Sequence, residues 1–200
     1  MSLRDQVKEF SILYWGMEGS GKNTALHALY RIIRERNTSF HSTSGIESEL
    51  IEGIEVNKVS LRYESEAEIN VYVIVDEQRF SKAKIKLCNE ADAVIFIFDA
   101  QPHLFEDNLE SLKELEVLMS GRLVKEIPLI VMLNKTDEYH DITVDDGKEV
   151  LGFEDLWYGS TRESIKNLMI FETYSLYEHE NNVYSSFLEC IIHHQVTVEL

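Results

Sequence analysis

Apolar positions follow two alternating periods along this chain. Phe10-Ser11-Ile12-Leu13-Tyr14-Trp15 is a short, nearly continuous apolar run, read as a strand. After the glycine-rich stretch that follows, Leu26, Leu29, Tyr30 and Ile33 recur at i, i+3, i+4 and i+7, which predicts an amphipathic helix to about Arg36. The polar, Ser- and Thr-rich segment 37–48 contains Gly45 and reads as a mobile connection. Strands are expected near Ile51–Leu61 and Asn70–Val75, with the acidic turn Glu64-Ser65-Glu66-Ala67-Glu68 making them an antiparallel hairpin. A helical stretch is predicted around Lys82–Cys88. Ala93-Val94-Ile95-Phe96-Ile97-Phe98 is apolar without interruption, as expected of a strand covered on both faces, and it ends at Asp99. Leu109, Leu112, Leu115 and Met119 mark a helix over Asp107–Ser120, with Gly121 as its stop. Pro128 precedes a second buried strand, Leu129–Leu133. A helix over Thr161–Asn167, a short strand over Leu168–Phe171 and a helix over Val183–Gln195 complete the pattern.

Strands that alternate with helices predict one α/β domain spanning residues 1–200. Its central sheet is mostly parallel with one antiparallel hairpin strand, and helices cover both faces. In such three-layer folds ligands bind beyond the carboxyl ends of the strands.

Composition narrows the ligand. With 44% hydrophobic and 28% charged residues the chain is an ordinary globular one, but 19 basic against 36 acidic residues give a net charge of −17. That field repels polynucleotides, so no nucleic acid partner is expected. The two cysteines, Cys88 and Cys190, are far apart and read as buried small side chains in a reducing compartment. No apolar run approaches the ~20 residues of a membrane span. The charged start, the absence of Gly at position 2 and the ending Val198-Glu199-Leu200 carry no signal peptide or lipidation motif, so a cytoplasmic location is expected.

The chemistry is concentrated at Gly16-Met17-Glu18-Gly19-Ser20-Gly21-Lys22-Asn23-Thr24. This segment fits G-x-x-x-x-G-K-[ST] everywhere except the last position. In such a loop, glycines let backbone N–H groups turn toward phosphate oxygens, and the lysine reaches the β- and γ-phosphates. The next hydroxyl normally holds Mg²⁺; here Asn23 occupies that position and Thr24 brings the hydroxyl one residue late. Strand, loop and helix follow in the order the motif requires.

Asn134-Lys135-Thr136-Asp137 follows a predicted buried strand and matches N-K-x-D. Asp137 can accept hydrogen bonds from guanine N1–H and its 2-amino group, a donor pair that adenine lacks. The Lys135 stem would pack over the base, and Asn134 would tie this loop to the phosphate loop. The ligands expected are therefore GTP and GDP.

With both motifs in place, the chain resembles the small Ras-superfamily GTPases over nearly its whole length. Within them it is most similar to the MglA (mutual gliding protein) group, through Ile12-Leu13-Tyr14-Trp15-Gly16, the helix start Lys22 to Tyr30, Ala93 to Gln101, and Asn108 to Leu115. Rag/Gtr and Arf-like GTPases are more distant comparisons. The resemblance implies the P-loop small-GTPase fold. It also implies that Glu172-Thr173-Tyr174-Ser175-Leu176 stands for the last guanine-binding element, commonly E-T-S-A-K, in which a backbone N–H caps the guanine O6; only the first two residues match, and Ser175 is the expected contact, flanked by Tyr174 and Leu176. It further implies a roadblock-domain partner that stimulates hydrolysis, and a role in polarity or motility.

Departures from the family pattern gather on the metal and γ-phosphate side. Aligning Val75-Asp76-Glu77-Gln78 on D-x-x-G-Q makes Gln78 the water-orienting catalytic residue, but puts Glu77 at the glycine and Ile74 at the aspartate. Asp76 could instead serve as the carboxylate on the metal side. The threonine that closes over Mg²⁺ could be Thr38 or Thr43, with Ser44 and Ser48 as other hydroxyls; Thr43 is favoured. Asn23 could ligate Mg²⁺ through its amide oxygen, though a hydroxyl suits the tight octahedron better. Two readings follow. One is a molecular switch that hydrolyses GTP slowly, with Lys22 and loop amides stabilising the developing charge. The other is a pseudo-GTPase scaffold that does not turn over.

Overall fold

The computed structural model of the chain describes residues 8–36, 38–63, 67–75, 80–136, 142–153, 168–174 and 182–198. Among these residues eight strands form one sheet: β1 (Lys8–Trp15), β2 (Phe40–Ser42), β3 (Glu47–Ile51), β4 (Ile54–Tyr63), β5 (Ala67–Ile74), β6 (Ala93–Asp99), β7 (Leu129–Asn134) and β8 (Leu168–Thr173). Among the described residues five α-helices accompany them: α1 (Lys22–Glu35), α2 (Lys82–Glu90), α3 (Phe105–Met119), α4 (Val144–Phe153) and α5 (Val183–Val198).

The strand order is β2-β4-β5-β1-β6-β7-β8, with β3 also paired to β4. From β5 through β8 every neighbouring pair is parallel, while β2, β3 and β5 all pair antiparallel with β4. Side chains alternate across the sheet, and the two cores follow from that alternation. Leu13, Trp15, Phe96, Phe98, Val131 and Leu133 face one side, where they pack with Leu87 of α2, Leu112 and Leu115 of α3 and Leu151 of α4. Ile12, Tyr14, Ile95, Ile97, Ile130 and Met132 face the other, against Leu26, Leu29 and Ile33 of α1 and Phe187 of α5. Three layers result, as the apolar runs predict. Each strand buried on both faces reads as continuous apolar sequence because neither face is left for polar residues.

The expected strand Ile51–Leu61 is in fact two. Glu52 (φ 50°) and Gly53 (φ 80°) both adopt the left-handed conformation between β3 and β4, the geometry of a two-residue hairpin whose twist matches the flanking strands. The segment 37–48, expected to be a mobile connection, supplies β2 and the first residues of β3. Helix α4 was not anticipated, although a capping box announces it: Thr143 N–H and Oγ1 both donate to Asp146 Oδ2 at 2.7 Å, and Asp146 N–H donates back to Thr143 Oγ1 at 3.3 Å. The hydroxyl and amide of Thr143 hold the Asp146 carboxyl below its ordinary pKa. The predicted helix Thr161–Asn167 lies outside the described residues. Among the described residues no helix is long and apolar enough to cross a membrane.

Candidate nucleotide-binding site

Strand β1 ends against the sheet centre, and the loop after it has no room for side chains at two points. A Cβ on Gly16 would overlap the Ile97 carbonyl oxygen of β6, and one on Gly21 would overlap the Asn134 amide nitrogen. Gly21 also sits at φ 100°, a conformation that disfavours any residue with a Cβ. Helix α1 begins immediately, its first ladder bond running from Ala25 N–H to the Gly21 carbonyl at 2.8 Å. The amides of residues 22–24 precede that ladder and supply the positive end of the helix to an anion. Lys22 is buried, and its Nζ donates to the carbonyls of Gly16 and Met17, each at 2.7 Å, which folds the ammonium across the loop. Ser20 is fully buried, yet its Oγ has no hydrogen-bond partner among the described residues. Packed glycines, a helix start, a cradled lysine and an unpaired buried hydroxyl together fit a phosphate chain.

The second half of the site is assembled by register. Asp99, Asn134 and Thr173 end three neighbouring parallel strands and stand opposite one another. Asn134 Nδ2 donates to the Ser20 carbonyl at 2.8 Å, joining the two loops as the motif predicts. Lys135 has φ 67°, and its Nζ lies 2.6 Å from Asp99 Oδ2. Asp99 is itself fixed by Asn108, whose Oδ1 accepts from Asp99 N–H at 2.9 Å and whose Nδ2 donates to the Asp99 carbonyl at 3.0 Å. Thr136 Oγ1 donates to the Thr173 carbonyl at 3.1 Å, and Thr173 Oγ1 donates to the Leu133 carbonyl at 3.2 Å. The N-K-x-D loop and the Glu172-Thr173-Tyr174 segment are therefore knit together.

The remaining residues divide by position. Glu18 and Gly19 are exposed on the loop, Thr24 is exposed on α1, and the half-buried Tyr174 directly follows β8. Gln78, Asp137, Ser175 and Leu176 lie outside the described residues. Asn23 Oδ1 accepts from Asn57 Nδ2 of β4 at 2.9 Å. Thr43 donates through both N–H and Oγ1 to the Ser60 carbonyl, at 3.1 and 3.2 Å. Ser60 is three residues, about 10 Å of strand, from Asn57, so Asn23 and Thr43 engage separate stretches of β4. Ile74, where the family pattern has a metal-side aspartate, is buried in the core. Among the described residues this donor set fits Mg²⁺ poorly: the Asn23 amide oxygen accepts from an amide N–H and isoleucine stands at position 74, while Asp76 lies outside those residues.

The sequence model of the ADP-ribosylation factor family matches residues 1–186. The chain belongs to that family. Its members are small GTP-binding proteins of the Ras superfamily, which fits the phosphate loop and the N-K-x-D loop joined at Asn134. Among characterised proteins, ADP-ribosylation factor D of Dictyostelium discoideum is 25% identical over 169 residues, 82% of this chain and 71% of that protein.

Three parts of this ADP-ribosylation factor family site carry no motif and were not anticipated. Asn57 is one of several polar residues in β4, and only the approach of β4 to α1 gives it a role. Asn108 holds Asp99 from a helix that the apolar periodicity alone defined. On the opposite face, Lys84 Nζ lies 3.1 Å from both oxygens of Glu114 and 5.0 Å from the Trp15 ring centre, with both charged side chains buried. This pair lines a cavity of about 450 Å³ beside Gly16, Met17 and Glu18.

Proposed function

We propose that this chain binds GTP and GDP and hydrolyses GTP slowly, alternating a partner-binding surface formed by residues 37–48 and 76–86. The observation that carries this reading is the Asn134–Ser20 hydrogen bond, which makes the base-reading loop and the phosphate loop one unit. Asp137 selects guanine, Lys22 and the loop amides stabilise charge on the phosphates, and Gln78 orients water. Exposed Leu50, Phe80 and Ile85 supply apolar contacts on or beside that surface. By its resemblance to the MglA group, the partner is a roadblock-domain protein that speeds hydrolysis, and the role is in polarity or motility.

Buried Ile74 and the engaged Asn23 favour a second reading, a scaffold that holds nucleotide without turnover. Extracting nucleotide from the purified chain and then following phosphate release from GTP, with and without partner, separates the two. The switch reading expects guanine nucleotide and slow turnover. Tight GTP binding with no turnover, even in Asn23→Thr and Glu77→Gly, means a scaffold. Asp137→Asn should move preference toward xanthine nucleotides; unchanged preference would overturn the guanine assignment.

A further inference from the structure

The metal corner of this site is closed by a pair of side-chain amides. Asn23 follows the phosphate-loop lysine, where a hydroxyl ordinarily meets Mg²⁺, and its Oδ1 accepts from Asn57 Nδ2 at 2.9 Å. Asn57 is held firmly. It pairs with Ser48 of β3 on one side and Val73 of β5 on the other, in a register that runs unbroken through β4 and β5. Alternation along β4 puts it on the same face as Val59 and Leu61, the face that packs against α1.

We propose that Asn23, oriented by Asn57, replaces the metal as a direct hydrogen-bond donor to the β-phosphate, so that this chain binds guanine nucleotide without a divalent cation. The proposal rests on the guanine-nucleotide reading above. A carboxamide is planar, so with Oδ1 directed at Asn57 the Nδ2 hydrogen trans to Oδ1 points away from Asn57 and is left to donate elsewhere. Asn23 stands in the first turn of α1, directly after Lys22. A cation at Oδ1 would have to sit 2.0–2.1 Å from an oxygen already facing the partial positive charge of the Asn57 N–H group. Mg²⁺ also draws much of its affinity from carboxylates, and among the described residues position 74 offers buried isoleucine instead, Asp76 lying outside them. A neutral amide donor, the helix amides and Lys22 can share the phosphate charge without it.

The test uses the full chain stripped of nucleotide and titrated with fluorescent GDP, once in Mg²⁺ and once in EDTA. The proposal expects the two Kd values to agree within about threefold. Asn23→Thr, which restores the hydroxyl, should weaken binding in EDTA by about tenfold or more while Mg²⁺ recovers part of it. Asn57→Leu should weaken binding about equally in both buffers. Wild-type binding that drops tenfold or more on chelation overturns this proposal and leaves the guanine reading standing. No GDP binding in either buffer overturns both. The wild-type comparison needs no variant to fold.

Discussion

Asn134 donates its side-chain amide to the carbonyl oxygen of Ser20 at 2.8 Å, a contact between residues 114 positions apart that joins the strand β7 terminus to the phosphate loop. Both residues are buried, and the same amide nitrogen occupies the space a Cβ on Gly21 would need. The loop thus keeps its shape partly because glycine lets the asparagine approach.

Truncating Asn134 to alanine leaves a buried carbonyl without this donor, a loss of about 1–3 kcal/mol. Guanine nucleotide affinity should fall about tenfold or more, read by fluorescent GDP titration, with the circular dichroism spectrum unchanged. Gly21→Ala should act more severely, because it adds both overlap with Asn134 and backbone strain at φ 100°. GDP binding by Gly21→Ala at the wild-type level would contradict the close approach of Asn134 to Gly21.

The turn between β3 and β4 offers a stabilising change. Glu52 holds φ 50° without a side chain suited to it, next to Gly53 at φ 80°. Asn-Gly is the favoured pair for a turn with both central residues left-handed. Glu52→Asn should therefore raise the melting temperature modestly, by up to about 1 kcal/mol of stability, and Gly53→Ala should lower it. Calorimetric scans of both variants check the pair of signs.

That same turn shows where the sequence was hard to read. Strands β1, β6 and β7 were legible because burial on both faces forces continuous apolar runs. In β3, Glu47-Ser48-Glu49-Leu50 is exposed throughout and only Ile51 is half-buried, so no hydrophobic period exists to find; backbone pairing with β4 alone makes it a strand. The site divides in the same way. Asn134 and the glycines belong to loops whose spacing is dictated by the ligand, so local sequence reveals them. Asn57 and Asn108 act through neighbours brought up by the fold, at sequence separations of 34 and 9 residues from their partners, and carry no local signature.

Burial makes both cysteines inert in the folded chain. Cys88 is pushed up to about 12 from an ordinary 9.0, chiefly by desolvation, and Cys190 is raised in the same way. The folded chain keeps a proton that the unfolded chain releases above 9.0. The Cys88 contribution is therefore fully present below pH 9 and is lost progressively between pH 9 and about 12, at up to about 1.4 kcal/mol per unit. Denaturant midpoints should fall over that window, and less steeply in Cys88→Ala. At pH 8 a thiol reagent such as DTNB should label neither cysteine until the chain is unfolded; rapid native labelling would contradict the burial.

Glu114 performs two tasks from α3: its carboxylate pairs with buried Lys84 of α2, and its Oε1 accepts from Phe80 N–H at 2.8 Å. Removing it in Glu114→Ala strands an ammonium in the interior against the Trp15 ring, and such a loss costs about 3–5 kcal/mol. Replacing both partners, as in Lys84→Met with Glu114→Leu, should recover most of that stability, because apolar side chains of similar volume need no charge compensation. A double-mutant cycle by urea denaturation reads the coupling directly. Hydrogen exchange at the Phe80 amide separates the two tasks: protection should disappear in Glu114→Ala and in the double variant but persist in Lys84→Met. Exchange that is equally slow in all three would mean that Glu114 does not anchor the chain where it enters α2.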